Sequence, residues 1–132
     1  MHRLIVTFAA AVVVMGSAAV AHAAEFKVDP VHSSSVFGIK HAGAGYVFGL
    51  FKQTSGSFTL DTEDLKSAKF EVSIDVASIH TGNDRRDGHL RSADFFNVEK
   101  FATITFKSTA VEVKEDRTMH VTGDVTLLGQ TR

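Results

Sequence analysis

One stretch of the sequence decides the fold: Ala68-Lys69-Phe70-Glu71-Val72-Ser73-Ile74-Asp75-Val76. Every second residue is apolar, and the residues between them are polar or charged. Successive side chains of a β-strand point to opposite faces of a sheet, so this period of two predicts a strand with one buried face. This predicted strand is the starting point from which the segments on either side of it are interpreted.

The same alternation recurs on both sides of this strand. With residues 68–76 it predicts about six strands in all. The charged run 115–117 suits a hairpin connection, and Gly56 is expected to mark a bulge at which a long segment bends. The further predicted strands are residues 35–41, 46–60, 103–108, 111–114 and 119–127.

Only residues 83–97 look helical, in two short pieces, with Asn83 expected to cap the first and Ser92 the second. Asp87 and Arg91 are four residues apart, in the order that favours a helical ion pair. Paired carboxylates here would suit glycoside hydrolysis, but the chain has no Trp and one Tyr to build a sugar platform. Ion pairing and capping at a barrel mouth is the preferred interpretation.

Strands with one apolar face each predict an all-β fold, either an antiparallel barrel or a sandwich. The barrel is favoured because glycines within strands let a sheet coil tightly enough to close. Those glycines are Gly38, Gly49 and Gly123.

The composition excludes several function classes. The 132 residues include 14 Lys+Arg and 15 Asp+Glu, so the chain has no broad positive field for nucleic acid. Without cysteine it has no disulfide, no thiolate nucleophile and no Cys-type metal site. Its content of apolar and charged residues is typical of a folded domain.

The N-terminus has the features of a secretory signal peptide. A basic start precedes an apolar run, and Ala21-His22-Ala23 has the A-x-A form of a cleavage site. Residues 1–23 are predicted to be removed, which leaves one domain at residues 24–132 in the periplasm. An uncleaved anchor formed by residues 4–21 is the alternative.

Catalytic motifs are weak in this sequence. Gly43-Ala44-Gly45-Tyr46-Val47-Phe48-Gly49 misses the dinucleotide fingerprint by one position, and no nucleophile elbow or P-loop occurs. No histidine pair has the helical spacing of a zinc site. His41 shares an apolar face with Phe37 and Ile39, so we expect it to point into the core, either as a satisfied core histidine or as a polar contact for a ligand.

Several segments resemble the YceI-like family. They are Val28-Asp29-Pro30-Val31-His32-Ser33, Phe37-Gly38-Ile39-Lys40-His41, Ser78-Ile79-His80-Thr81-Gly82-Asn83 and, most specifically, Arg86-Asp87-Gly88-His89-Leu90-Arg91-Ser92-Ala93-Asp94-Phe95-Phe96-Asn97-Val98. The resemblance extends from about Phe26 to the last residue.

This resemblance implies an exported, antiparallel, lipocalin-like β-barrel that encloses an isoprenoid lipid, either a polyprenyl chain or a quinone tail. It implies no catalytic residue, no metal and no cofactor beyond such a bound lipid. Expected partners are the lipid and, transiently, a membrane or membrane electron-transfer proteins. The inward, ligand-binding set expected by analogy is Phe37, Ile39, His41, Val47, Phe51, Phe70, Val72, Ile74, Ile104, Phe106, Val121 and Val125.

Two departures from the family pattern stand out. Ala102 occupies a position where the family commonly has proline, and the chain stops at Arg132 where family members continue through further strands. About eight strands are needed for the implied barrel, so we expect this to be a truncated sequence. If the stop is genuine, edge pairing into a homodimer is expected.

The rival functions are a histidine-dependent metal or redox enzyme using His32, His41 or His89, and a structural barrel with a solid core.

Overall fold

The computed structural model describes residues 23–116 and 118–132. The predicted signal peptide falls almost wholly outside these described residues. Nine strands and one α-helix are found within them. They are β1 (Ala24–Lys27), β2 (Ser35–His41), β3 (Gly45–Phe51), β4 (Thr54–Leu60), β5 (Lys69–Asp75), β6 (Ile79–His80), α1 (Asp84–Arg91), β7 (Thr103–Val113), β8 (Met119–Leu127) and β9 (Gln130–Thr131).

All the strand pairs are antiparallel and form two sheets. The larger has the order β1-β4-β5-β7-β8-β9, and the smaller has the order β2-β3-β6. The prediction of an antiparallel all-β fold with a short helical segment is confirmed. In the described part of the chain the two sheets are not joined into one closed barrel.

A corner connects the two sheets. The chain passes from β3 to β4 through Lys52 and Gln53, and from β5 to β6 through a 3-10 turn at Val76–Ser78. The backbone N–H of Lys52 donates to the carbonyl of Ser78, and that of Asp75 donates to Gln53, at 3.2 and 3.0 Å. The two bent segments therefore turn the corner as a pair.

The predicted bend at Gly56 is wrong in position, because Gly56 keeps regular pairing with Val72 inside β4. Its φ is 150°, and a Cβ there would collide with the carbonyl oxygen of Glu71 on β5. Glycine is needed at this position because the two backbones approach so closely.

Residues 103–108 and 111–114, predicted as separate strands, lie in one strand except for Lys114. A register shift between Ser108 and Ala110 inserts an extra residue into β7. This bulge changes which alternate residues face inward, so Phe106 and Val111 lie on the same side of the sheet although their spacing is odd.

The helical prediction is right for its first half only. Asn83 caps α1, because its side chain accepts from the N–H of Arg86 at 3.0 Å. Ser92 ends this helix instead of starting a second one: its backbone is extended and its hydroxyl donates to the carbonyl of His89. No helix in the described residues is long and apolar enough to cross a bilayer.

Candidate functional site

The candidate site is the inner face of the two sheets. On β5 the inner residues are Phe70, Val72 and Ile74, which are half-buried. Across the β5–β7 pairing, Val72 lies opposite Phe106 and Ile74 lies opposite Ile104. Register thus extends one apolar surface from strand to strand.

Three phenylalanines form a ladder across this face. Phe26, Phe58 and Phe70 lie side by side on β1, β4 and β5. Ring centroids are 5.0 Å apart for Phe26 and Phe58 and 5.9 Å apart for Phe58 and Phe70, with planes within 13° and 18° of parallel. Of these only Phe70 was in the predicted inward set, because the alignment of the other two depends on a strand register that the sequence does not reveal.

One end of the inner face is closed by a packed cluster. Phe51, Val76 and Ile79 are buried and form its centre. Six half-buried residues pack against them: Phe37, Ile74, Leu90, Phe96, Val98 and Ile104. Four of the predicted lining residues therefore lie in solid core: Phe37, Phe51, Ile74 and Ile104.

The other predicted residues lie beyond this cluster. Val47, Phe70, Val72, Phe106 and Val121 are half-buried, whereas Ile39 and Val125 are exposed. The inner face is thus an apolar surface. The packed cluster fills one end of it, the plugged end, and the other end is exposed to solvent.

The expectation that His41 points into the core is wrong. His41 is exposed and is the last residue of β2, paired with Gly45 beside the turn. Its strand position does place it on the same face as Phe37 and Ile39, but the hairpin projects beyond the packed cluster, so nothing buries it. Its role as a polar contact for a ligand stays a prediction.

Phenylalanine rings cover the strand glycines. A Cβ on Gly49 would collide with the ring of Phe37, and one on Gly123 would lie 2.6 Å from the ring of Phe106. A ring lying over a neighbouring glycine supplies the contact that the missing side chain cannot make. These pairs explain why bulky and small residues are interleaved on the inner face.

Helix α1 is anchored against the plugged end by a polar network. Burial tends to raise the pKa of Asp87, but hydrogen bonds from the hydroxyl and N–H of Thr81, with the positive charges of His80 and Arg91, outweigh it and hold the pKa below its ordinary value. Arg86 donates to the hydroxyl and carbonyl oxygens of Thr81, both at 2.7 Å. The network is fully satisfied, since no buried side-chain polar atom among the described residues lacks a partner.

The predicted helical ion pair between Asp87 and Arg91 is not among the salt bridges of the described residues. The Arg91 guanidinium instead donates to the carbonyls of Ala77 and Ile79, both at 2.8 Å. Ala77 lies within the 3-10 turn of the corner and Ile79 begins β6, and the forked guanidinium reaches both carbonyls at once. The charged stretch therefore holds the helix on the sheet corner: the predicted cap is present, but hydrogen bonds to backbone carbonyls take the place of the predicted Asp87–Arg91 pair.

A model of the YceI-like domain matches residues 26–132. The chain belongs to the YceI-like family. It is 40% identical over 129 residues to a UPF0312 protein of Ectopseudomonas mendocina (strain ymp), covering 94% of this chain and 68% of that relative. It is 41% identical over 128 residues to Protein YceI of Salmonella agona (strain SL483), covering 96% and 65%. The chain thus spans about two thirds of the length of these curated relatives.

Three solved structures have a similar fold. BcnA of Burkholderia cenocepacia matches with a TM-score of 0.72 and 25% identity, over 80% of this chain and 65% of that one. The YCEI protein of Campylobacter jejuni matches with a TM-score of 0.62 and 33% identity, over 80% and 61%. A domain of Saccharophagus degradans described as polyisoprenoid binding matches at 0.53 and 19%, over 75% and 56%, which shows the fold alone. The predicted barrel class is confirmed, with the sheets of this chain left open.

The described histidines of this YceI-like chain are dispersed, and three of them lie beside one aspartate each. His32 Nδ1 lies 2.7 Å from Asp29, His80 Nδ1 lies 3.5 Å from Asp87, and His89 Nε2 lies 3.2 Å from Asp94. Among residues 23–116 and 118–132, no group of three His, Cys, Asp or Glu side chains could hold a metal ion.

A depression of about 470 Å³ lies along β1, β4, β5 and β7. Its walls include Glu25, Lys27, Glu71 and Lys107, which point away from the apolar face, and the last two form an ion pair at 2.9 Å. A wall that carries these charged side chains does not suit an alkyl chain. The apolar inner face is the better candidate site in this YceI-like fold.

Proposed function

We propose that this protein binds an isoprenoid lipid, either a polyprenyl chain or the tail of an isoprenoid quinone, on its apolar inner face. It acts as a carrier or sequestering protein and performs no turnover. One observation carries this proposal: the inner face stays apolar beyond the packed cluster, where Phe26 is 44% exposed and Val125 is 41% exposed. Contiguous exposed apolar surface is a feature of ligand-binding and protein-binding sites.

The shape of the surface favours a long, thin ligand. β7 and β8 are the longest strands, with 11 and 9 residues, and their inner residues form apolar rows. The described lining beyond the cluster presents few polar groups that could recognise a headgroup. The neighbouring Saccharophagus degradans domain, described as polyisoprenoid binding, supports an isoprenoid as the ligand class.

Burial of the chain against the apolar inner face supplies enough free energy. Each buried methylene contributes about 0.8 kcal/mol, so three isoprene units contribute on the order of 10 kcal/mol before the cost of association is subtracted. Affinity is therefore expected to rise with the number of isoprene units until the inner face is covered. No catalytic group is needed for such binding.

The predicted signal peptide supports a periplasmic location for this activity. An isoprenoid that leaves a bilayer must be shielded from water, and an exported carrier would provide that shielding between two membranes. This location is part of the proposal.

The test is organic extraction of the purified protein followed by mass spectrometry, together with uptake of a polyprenol from detergent micelles. Val72→Trp places an indole on the inner face beside Gly56, its register partner. Ser73→Trp places the same group on the opposite face of the same strand and is the matched control.

We expect Val72→Trp to lower polyprenol uptake by at least about tenfold, the equivalent of losing two buried methylenes. Ser73→Trp should leave uptake within about twofold of the parent protein, since it adds no group to the binding surface. If the protein contains no isoprenoid and takes up none, the solid-core structural barrel replaces the carrier. Equal effects of the two variants would show that the lipid binds elsewhere.

A further inference from the structure

The hairpin formed by β2 and β3 exposes apolar residues on its outer face, which points away from the packed cluster. Val36 is 71% exposed, Tyr46 is 64% exposed and Phe48 is 68% exposed. All three lie on the side opposite Phe37 and Phe51, which belong to the core. The outer face of an antiparallel sheet is ordinarily polar, so this surface calls for a functional explanation.

The exposed aromatic rings on this face contact one another and the paired strand. The rings of Tyr46 and Phe48 stack with centroids 6.1 Å apart, and the ring of Phe48 covers Gly38 on the paired strand. Lys40 lies directly opposite Tyr46 in the register. The hairpin thus presents two aromatic rings, one of them with a hydroxyl, next to a lysine.

The β2–β3 hairpin carries no carboxylate of its own. All fifteen Asp and Glu residues of the chain lie outside residues 30–60, whereas Lys40 and Lys52 lie within that range. The chain as a whole has a formal charge of −1, so the positive charge is local. A surface with apolar aromatic residues and cations, and without carboxylates, is complementary to anionic phospholipid headgroups.

We propose that the outer face of the β2–β3 hairpin docks this protein onto a bilayer that contains anionic phospholipid. Tyr46 and Phe48 enter the interfacial region, and Lys40 pairs with phosphate. This inference rests on the proposed function, because docking there holds the hairpin, whose opposite face carries Ile39 and Val47, at the membrane from which an isoprenoid must leave.

The test is flotation of the purified full chain with vesicles of phosphatidylcholine alone and of phosphatidylcholine with about 30% phosphatidylglycerol. We expect binding to the anionic vesicles only, and loss of that binding at about 0.5 M NaCl, where the Debye length falls to a few ångströms. Equal binding to neutral vesicles, or none to either, overturns the proposal.

Two charge reversals make the test specific. Lys40→Glu is expected to weaken binding to anionic vesicles about tenfold, since a juxtamembrane lysine contributes about 1 kcal/mol and its reversal removes that attraction and adds repulsion. Lys66→Glu changes the net charge equally but lies in the 3-10 turn before β5. It should change binding less than about twofold. Equal effects of the two reversals would show that vesicle binding depends only on the net charge of the protein. That result would contradict the proposed docking face.

The apolar residues are tested in the same way. Phe48→Ser is expected to abolish flotation, whereas Val31→Ser, at an 81% exposed position before β2, should leave it unchanged. If Phe48→Ser instead lowers a self-associated mass in solution, a second copy covers this face and the bilayer proposal is wrong. Phe48 also covers Gly38. If Phe48→Ser fails to fold for this reason, the comparison of Lys40→Glu with Lys66→Glu still decides the proposal.

Failure of docking and failure of lipid binding give different results. Polyprenol uptake from detergent micelles tests the inner face and needs no bilayer, so a protein that takes up polyprenol but never floats contradicts the docking face alone. A protein that floats but takes up no polyprenol contradicts the proposed function and leaves the hairpin as a membrane contact.

Discussion

The carboxylate of Asp87 accepts hydrogen bonds from both the backbone N–H and the hydroxyl of Thr81, at 2.9 and 2.5 Å. Asp87 lies in α1 and is only 2% exposed, whereas Thr81 follows β6. This pair joins the helix to the end of the smaller sheet at the plugged end of the inner face. A buried carboxylate is tolerated there because charge-assisted hydrogen bonds replace its water.

Asp87→Asn is expected to lower the free energy of unfolding at pH 7 by about 1–3 kcal/mol, because a neutral amide accepts these bonds less strongly and buries its own NH2 group. Chemical denaturation followed by circular dichroism measures the loss. Asp116→Asn is the matched control, since Asp116 accepts the same two bonds from Thr118, at 2.9 and 2.6 Å, but is exposed. Equal losses would contradict the argument from burial.

The lowered pKa of Asp87 also predicts how the stability of the protein depends on pH. The folded pKa of Asp87 lies below its ordinary value of 3.8, so its contribution to stability is fully present above pH 3.8 and is lost as the pH falls through the lower folded pKa. The Asp87→Asn protein lacks this contribution, so its stability should fall less steeply with acidification below pH 3.8 than that of the parent. Denaturation curves from neutral to acidic pH measure both slopes, and identical slopes would contradict the lowered pKa.

Gly56→Ala is expected to destabilise the fold by more than about 2 kcal/mol, because a methyl group there meets the β5 backbone and the residue's φ is 150°. Gly88→Ala should act in the opposite direction. Gly88 lies in α1 with open space around its Cα, and alanine favours a helix over glycine by about 1 kcal/mol. Thermal melts of the two proteins check the contrast, which fails if both substitutions shift the melting temperature the same way.

The strands with uninterrupted alternation were predictable from the sequence. β2 and β8 have the predicted bounds, since a period of two needs only local information. The bend at Lys52 and Gln53 was missed because neither residue has a turn signature, whereas Gly56 has one and was chosen wrongly. The bulge in β7 was missed because an extra residue looks like the end of one strand and the start of another.

The candidate site was harder to predict than the fold, because a binding surface depends on which strands are neighbours. Phe26 and Phe58 join the inner face through pairing across residues distant in sequence. His41 has the correct strand parity for the interior but lies beyond the cluster that buries Phe37. Alternation predicts the face on which a residue lies, but it does not predict how far along the strand the core extends.

Substitutions in the phenylalanine ladder distinguish its contribution to packing from its contribution to lipid recognition. Phe58 stacks on two rings and Phe26 on one, so Phe58→Leu should lower the free energy of unfolding by about 0.5–1.5 kcal/mol more than Phe26→Leu, the worth of one aromatic pair. Leucine keeps the surface apolar, so polyprenol uptake by either folded variant should stay within about threefold of the parent if apolar enclosure drives binding. Uptake that falls tenfold or more in a stably folded Phe58→Leu protein would mean that the rings themselves recognise the ligand. Unfolding curves and micelle uptake on the same preparations distinguish these outcomes.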